Sequence, residues 1–257
     1  MISILLARLH QKHRTFRYPD GPAPKVSDRL RGRPTLDPAR CLPGCSVCRD
    51  VCPTGAAAAG PDGRLVMDLG RCLFCGRCAE ACPQQAIAFT TDHRLAVSRR
   101  EDLLLAAGAQ LQLATAMGNR LRSFLGRSLR LRQVSAGGCN ACEADSNVLT
   151  TVGWDLQRFG IDFVASPRHA DGILVTGPVT ENMRTALLKT YEAVPAPKIV
   201  IAVGSCAVAG GPFVDHPEVH NGIAALLPVD LFVPGCPPHP LTILDGLLRL
   251  VGVLADR

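Results

Sequence analysis

From residue 129 onward the chain alternates short apolar runs with longer stretches whose apolar residues recur at helical spacing. The runs 129–134, 161–165, 172–176, 198–203 and 230–233 predict strands, and the stretches 142–159, 181–194, 218–227 and 241–255 predict helices. Strand and helix in alternation build βαβ units and a parallel sheet. Ahead of this region the pattern is sparser. Residues 64–68 and 85–90 predict short strands, 99–132 one or two basic helices, and 1–10 an amphipathic helix with Ile2, Leu5, Leu6 and Leu9 on one face and Arg8 opposite. That first helix suits a membrane surface or another subunit, the plain alternative being packing on the chain's own body.

With 47% apolar and 19% charged residues over 257 positions, the chain is long enough for one large or two modest cores, and wholesale disorder is excluded. Its longest apolar stretches, near 199–203 and 247–255, fall short of a membrane span, and residues 1–9 are too short for a secretory core, so a cytoplasmic location is expected. Charge is segregated: residues 1–40, 41–93, 94–133 and 134–257 carry +6, −1, +6 and −5. Two basic segments thus alternate with two neutral or acidic units, which points to docking surfaces for a partner or an anionic membrane face. Aromatic content of 4% leaves little to stack on bases, and no nucleic-acid-binding motif is present, so no nucleic acid partner is expected.

Twelve cysteines are many for a reducing compartment, and bound metal explains them better than disulfides. Cys45, Cys48 and Cys52 recur thirty residues later as Cys75, Cys78 and Cys82, each set closing on Cys-Pro. The second copy, Cys72-x2-Cys75-x2-Cys78-x3-Cys82-Pro83, is the run in which three thiolates hold one four-iron cluster and the fourth reaches across to another. By that crossing rule Cys41, Cys45, Cys48 and Cys82 form one ligand set, and Cys72, Cys75, Cys78 and Cys52 a second. The first copy has three residues between Cys41 and Cys45 where two are usual, so this loop must bulge, with Gly44 free to take a positive φ. Structural zinc is the competing use of paired Cys-x2-Cys; four-cysteine runs with a trailing proline favour iron–sulfur clusters.

The other four cysteines fall just past predicted strands: Cys139 and Cys142 after the first, Cys206 after the fourth, Cys236 after the fifth. Carboxyl ends of parallel strands share one edge, where ligand sites form, so these four can meet around a third cluster. Gly137, Gly138, Gly204, Gly235, Pro237 and Pro238 surround them and permit close backbone approach. Eight and four together use every cysteine.

The segments GGCNACE (137–143), RFGIDFVASPRHAD (158–171), TGPVT (176–180), GSCA (204–207) and VPGCPPHP (233–240) resemble the small subunit shared by membrane-bound group 4 nickel-iron hydrogenases and complex I. RTFRYPDGP (14–22) and RGRPTLDPARC (31–41) resemble the eight-iron ferredoxin subunit of the same complexes, as in formate hydrogenlyase. The chain looks like a fusion of the two. The resemblance implies an α+β two-cluster ferredoxin domain followed by an α/β flavodoxin-like open parallel-sheet domain. Its divisions would be a basic N-terminal docking segment over 1–33, the ferredoxin domain over 34–93, a basic helical linker over 94–129 and the cluster domain over 130–257. It also implies that Cys139, Cys142, Cys206 and Cys236 hold a cluster facing a large catalytic subunit. Complex I small subunits have adjacent cysteines at the first ligand position, whereas Cys139-Asn140-Ala141-Cys142 is the hydrogenase arrangement. No N-terminal twin-arginine signal is present, unlike exported uptake hydrogenases; Arg99-Arg100 is internal.

Glu143 suits a helix start, where the dipole favours a carboxylate, as well as proton transfer or partner contact. His239, beside Cys236, suits either a hydrogen bond to a cluster or ordinary packing, and His169 belongs to a polar approach to a strand. No phosphate-binding glycine loop and no nucleophile with a base is found, so no catalytic residue is assigned and the expected role is electron transfer through three 4Fe-4S clusters. All cysteines being used, nickel would sit in a partner large [NiFe]-hydrogenase-like subunit. Membrane-arm subunits and an upstream electron donor, such as formate dehydrogenase, carbon monoxide dehydrogenase or a ferredoxin, complete the expected partners. The chain would then lie peripherally on the inner face of the cytoplasmic membrane. The alternative is a complex I-like quinone-reducing module whose partner lacks nickel.

Overall fold

The computed structural model describes residues 2–12, 14–42, 44–60, 63–118 and 128–254. Five strands, β6 (Leu129–Ser135), β7 (Ile161–Phe163), β8 (Gly172–Thr176), β9 (Ile199–Val203) and β10 (Leu231–Val233), form a parallel sheet ordered β10-β9-β8-β6-β7. Counted within the sheet, that order is 2-1-3-4-5 from the other edge, and it reverses between β6 and β8. The two middle strands β8 and β9 are buried at every residue, as expected where both faces are covered. Ile173, Val175 and Val200 face a core shared with Leu187 of the helix Glu181–Ala193. Leu174, Ile199 and Ile201 face the opposite core, under the helix Pro240–Leu250.

The thirty-residue repeat survives as structure. The helix Val47–Asp50 and β2 (Ala57–Ala59) recur at the same offset as the helix Arg77–Ala81 and β4 (Ile87–Phe89). Backbone conformation repeats too: Gly44 (φ +75°) corresponds to Phe74 (φ +54°), and Gly55 (φ +61°) to Gln85 (φ +51°). Each copy pairs with a strand from outside it. β4 joins β1 (Pro34–Leu36), while β2 joins β3 (Leu65–Asp68) and then β5 (Leu104–Ala106).

Three expectations need correction. The basic helical linker is not helical as far as residue 118: Arg100–Leu103 is one 3-10 turn and Leu104–Ala106 a strand, buried at Leu105 and exposed at Leu104. That period of two is a strand's. The part of this expected helix over 119–127 lies outside the described residues. The stretch 218–227 forms turns, because Asn221 (φ +51°) and Gly222 (φ +95°) break any helix, although Ile223 and Leu227 are buried as their spacing suggested. The helix expected over 142–159 stops as Ala141–Val148. Thr150 and Thr151 turn their hydroxyls onto the Asn147 and Val148 carbonyls, and a separate 3-10 turn follows at Leu156–Phe159.

Rather than tethering two separate bodies, residues after the cysteine-rich half are stitched onto the parallel sheet. Val97 and Phe232 exchange backbone hydrogen bonds at 3.0 and 2.9 Å, extending the sheet past β10. Ala96 is fully buried, and a Cβ on Gly246 of the last helix would stand 2.6 Å from its methyl group. Cys72, Cys78, Met67 and Leu69 therefore share one apolar cluster with Ile173 and Val200 of the sheet.

Candidate metal centres

In the repeat region the thiols gather across the two copies. Cys41, Cys45 and Cys48 line a small cavity with Cys82 of the second copy, walled by Leu65, Ala86 and Ile87. Cys72, Cys75 and Cys78 line another with Cys52 of the first copy, walled by Ala56, Met67 and Phe89. The two crossing cysteines are held alike. The Ala56 N–H donates to the Cys52 sulfur at 3.2 Å and the Ala86 N–H to the Cys82 sulfur at 3.3 Å, both from the fourth residue on. The Phe74 N–H donates to Cys72 at 3.3 Å. Such bonds stabilise a thiolate and tune whatever it binds.

The third group sits at the carboxyl edge of the sheet. Cys139 and Cys142 follow β6 at the strand-order reversal, Cys206 opens the helix Ser205–Ala209 after β9, and Cys236 follows β10. Two glycines make room for it. Gly204 (φ +91°) would place a Cβ 2.5 Å from the Cys142 sulfur, and Gly211 (φ +57°) one 2.6 Å from the Cys206 sulfur. Only glycine meets both the backbone angle and the close approach.

The thiols feel each other within and between groups. Burial pushes Cys72 up to about 12 and Cys78 and Cys206 up to about 11, with neighbouring cysteines adding to it. Cys142 is driven higher still by burial, then by Cys206 and Glu143. Cys52 is the exception: burial opposes it, yet N–H groups of Thr54, Ala57 and Ala56 bring it below the ordinary thiol value. Thiols crowded together and partly shielded from water resist ionising unless positive charge arrives among them, which is what a metal centre supplies. Among the described residues no three His, Cys, Asp or Glu side chains close on a single-ion position. A four-iron cube, with sulfide corners of its own, takes thiolates set wider apart than one zinc ion does.

The second group adjoins both of the others: it shares the crossed Cys52 and Cys82 with the first, and Ser205, beside Cys206 of the third, reaches its Cys72. The residue that binds this arrangement together escaped sequence reasoning. Ser205, beside Cys206, is buried and donates its hydroxyl to the Cys72 carbonyl at 2.6 Å. Nothing in the sequence marks it except its neighbour. Glu143 lies buried in the first turn of its helix and accepts a hydrogen bond from Thr176 at 2.7 Å. His239 caps the helix Pro240–Leu250, its Nδ1 accepting from the Leu241 N–H at 3.1 Å; burial, opposed by Asp145, holds it below the usual imidazole range. His169 sits in the 3-10 turn Pro167–His169 leading into β8.

The chain is similar in sequence to known proteins. Residues 139–250 match the family model for the NADH ubiquinone oxidoreductase 20 kDa subunit, and residues 33–83 that for a 4Fe-4S dicluster domain. The chain is 44% identical to a probable membrane-bound hydrogenase subunit of Pyrococcus furiosus over 52% of its own length and 81% of that protein. To formate hydrogenlyase subunit 7 of Escherichia coli it is 42% identical, over 51% of each chain, so it spans about half of that relative. To an NADH-quinone oxidoreductase subunit of Clostridium beijerinckii it is 46% identical over 44% of this chain and 68% of the relative. The chain thus belongs to the 20 kDa-subunit family of NADH:ubiquinone oxidoreductase, carries a 4Fe-4S dicluster domain ahead of it in one polypeptide, and is an oxidoreductase subunit for electron transfer.

Proposed function

We propose that the chain is a three-centre electron relay in a group 4 hydrogenase-type complex, with Cys41, Cys45, Cys48 and Cys82 holding one 4Fe-4S cluster, Cys72, Cys75, Cys78 and Cys52 a second, and Cys139, Cys142, Cys206 and Cys236 a third. When bound, the clusters supply one-electron chemistry and no bond making. The protein's part is to place twelve thiolates in three sets, aim N–H groups at the sulfurs of Cys52, Cys72 and Cys82, and hold the sets close to one another. The observation that carries this reading is geometric: two four-cysteine cavities crossed between the copies, with Ser205 beside Cys206 hydrogen-bonded to Cys72 of the second. The domain limits at 33, 93 and 129 and the flavodoxin-like description of the second half belong to it, the latter supported by the 2-1-3-4-5 strand order.

The third centre faces a large partner subunit that carries the nickel-iron site, with membrane-arm subunits and an upstream electron donor completing the complex. The chain sits on the inner face of the cytoplasmic membrane through them. The Cys139-x2-Cys142 spacing favours this over the quinone-reducing module without nickel, which the likeness to the NADH-quinone oxidoreductase relative keeps as a second reading. Nickel in the co-purified large subunit supports the first; a large subunit without it supports the second. Anaerobically purified chain is expected to hold about twelve irons and to give reducible four-iron signals by electron paramagnetic resonance. Iron for two clusters only, or stoichiometric zinc, overturns the relay.

A further inference from the structure

The helix Ile2–Gln11 buries none of its residues. Its apolar stripe, Ile2, Leu5, Leu6 and Leu9, is 60–74% exposed, far more than a helix packed on its own protein leaves open. Sequence reasoning allowed three partners for this stripe, and its exposure removes the chain's own body from among them. Charge chooses between the other two. From residue 1 to 19 there is no aspartate or glutamate, while Arg8, Lys12, Arg14 and Arg17 add four positive charges. Among the described residues none of those four side chains meets a carboxylate, whereas Arg31, Arg33, Arg94, Arg99 and Arg100 each do.

The base of the helix is anchored, and beside another apolar patch. The Phe16 N–H donates to the Gly153 carbonyl at 2.9 Å, its ring stands edge-on to Trp154 at 5.1 Å, and the Arg158 guanidinium donates to the Phe16 and Tyr18 carbonyls. Phe16 and Val152 are themselves exposed there, at 42% and 66%. A free apolar stripe, a wholly cationic segment and an aromatic anchor are the parts of a helix that lies in a lipid headgroup layer.

We propose that Ile2–Gln11 is an interfacial anchor by which this chain itself binds an anionic lipid surface, with Leu5, Leu6 and Leu9 sunk among the acyl chains and Arg8, Lys12 and Arg14 on the headgroup phosphates. This goes beyond attachment through membrane-arm partners and does not depend on how the cysteines are loaded.

The test is co-sedimentation of the full chain, purified anaerobically with its iron, with phosphatidylcholine vesicles that contain or lack phosphatidylglycerol. Binding is expected to the anionic vesicles, weaker by at least tenfold to the neutral ones, and to fall with added salt. Each cation near such a surface changes partitioning about fivefold, so Arg8→Gln, Lys12→Gln and Arg14→Gln together are expected to cost about a hundredfold. Leu5→Glu with Leu9→Glu is expected to abolish binding. Both variants keep their iron, which separates failure here from failure of the relay. Wild-type chain that ignores anionic vesicles, binds both vesicle types equally, or sediments as a dimer that Leu5→Glu with Leu9→Glu dissolves overturns the proposal and gives the stripe to a protein partner or a second copy.

Discussion

The Ser205 hydroxyl donates to the Cys72 carbonyl at 2.6 Å across 133 positions of sequence and reaches the Gly235 carbonyl at 3.1 Å. One small side chain thereby ties a cysteine of the second group to the residues preceding Cys206 and Cys236. The Ser205 N–H adds a further bond to Gly235 at 2.7 Å. Because it links the second group to the third, this is a joint on which their spacing rests.

Ser205→Ala removes the hydroxyl and leaves a buried Cys72 carbonyl without its donor, at a cost of about 1–3 kcal/mol. Denaturant unfolding of the iron-loaded variant is expected to show that loss at unchanged iron content. A variant as stable as wild type would mean that the joint is held elsewhere.

Gly204 tests the third centre from the other side. Gly204→Ala must hold a φ of +91° and bring a methyl group to 2.5 Å from the Cys142 sulfur. Overpacking of that kind costs about 1–3 kcal/mol before backbone strain is added. The expected outcome is loss of about four irons with the two ferredoxin-type signals intact. Full iron content would show that Cys142 has room to move.

A polar knot joins the N-terminal segment to the last helix. Tyr18 donates to Asp245 at 3.1 Å, and Asp245 pairs with Arg249 at 2.8 Å, all buried. Tyr18→Phe removes one bond, at about 1 kcal/mol. Asp245→Ala leaves the Arg249 guanidinium buried and unpaired, at about 3–5 kcal/mol. Thermal melting should rank the two in that order; equal effects would show that water reaches Arg249.

His93 lies against the same knot, its ring 6.2 Å from that of Tyr18 and its Nε2 buried without a partner. Burial holds it below the ordinary imidazole value of 6.5; Asp245 and Asp92 pull the other way, and Arg94 and His239 add to the depression. The unfolded chain therefore takes up this proton first. The stability is fully present above 6.5 and is lost as pH falls through the lower folded value. Denaturant midpoints measured on either side of 6.5 should fall with acidification, and less steeply in His93→Gln. Identical slopes would remove His93 from the account.

What the sequence made legible was whatever short-range pattern enforces. Strands β6 to β10 were visible because apolar runs bounded by turn residues have no other use in an α/β chain, and the two cysteine runs because their spacing is itself the ligand geometry. Missed features were those decided at long range. Leu104–Ala106 is a strand because β3 offers it an edge, not because three residues insist on one. In 218–227 the apolar spacing truly marked Ile223 and Leu227 for the core, but two positive φ angles at Asn221 and Gly222 reach that burial without a helix. Ser205 and the Val97–Phe232 seam were invisible for the same reason, since the partner of each lies more than a hundred residues away.

The crossing of the first two ligand sets yields the sharpest experiment. Cys52 and Cys82 occupy equivalent places in the repeat, each with its sulfur taking an N–H from the fourth residue on, yet each lines the cavity of the opposite copy. If ligands followed sequence, Cys82→Ala would damage the centre of Cys72, Cys75 and Cys78. With crossing, it damages that of Cys41, Cys45 and Cys48, and Cys52→Ala does the reverse. The two surroundings differ enough to tell which signal is lost: Cys72 and Cys78 are buried, whereas Cys41, Cys45 and Cys48 are each partly open to solvent. Solvent exposure is one of the levers on cluster potential, so the two four-iron signals should titrate apart. Each variant is expected to lose about four irons and a different one of the two signals. Loss of the same signal from both would refute the crossed assignment, while leaving the count of three centres to stand or fall by total iron.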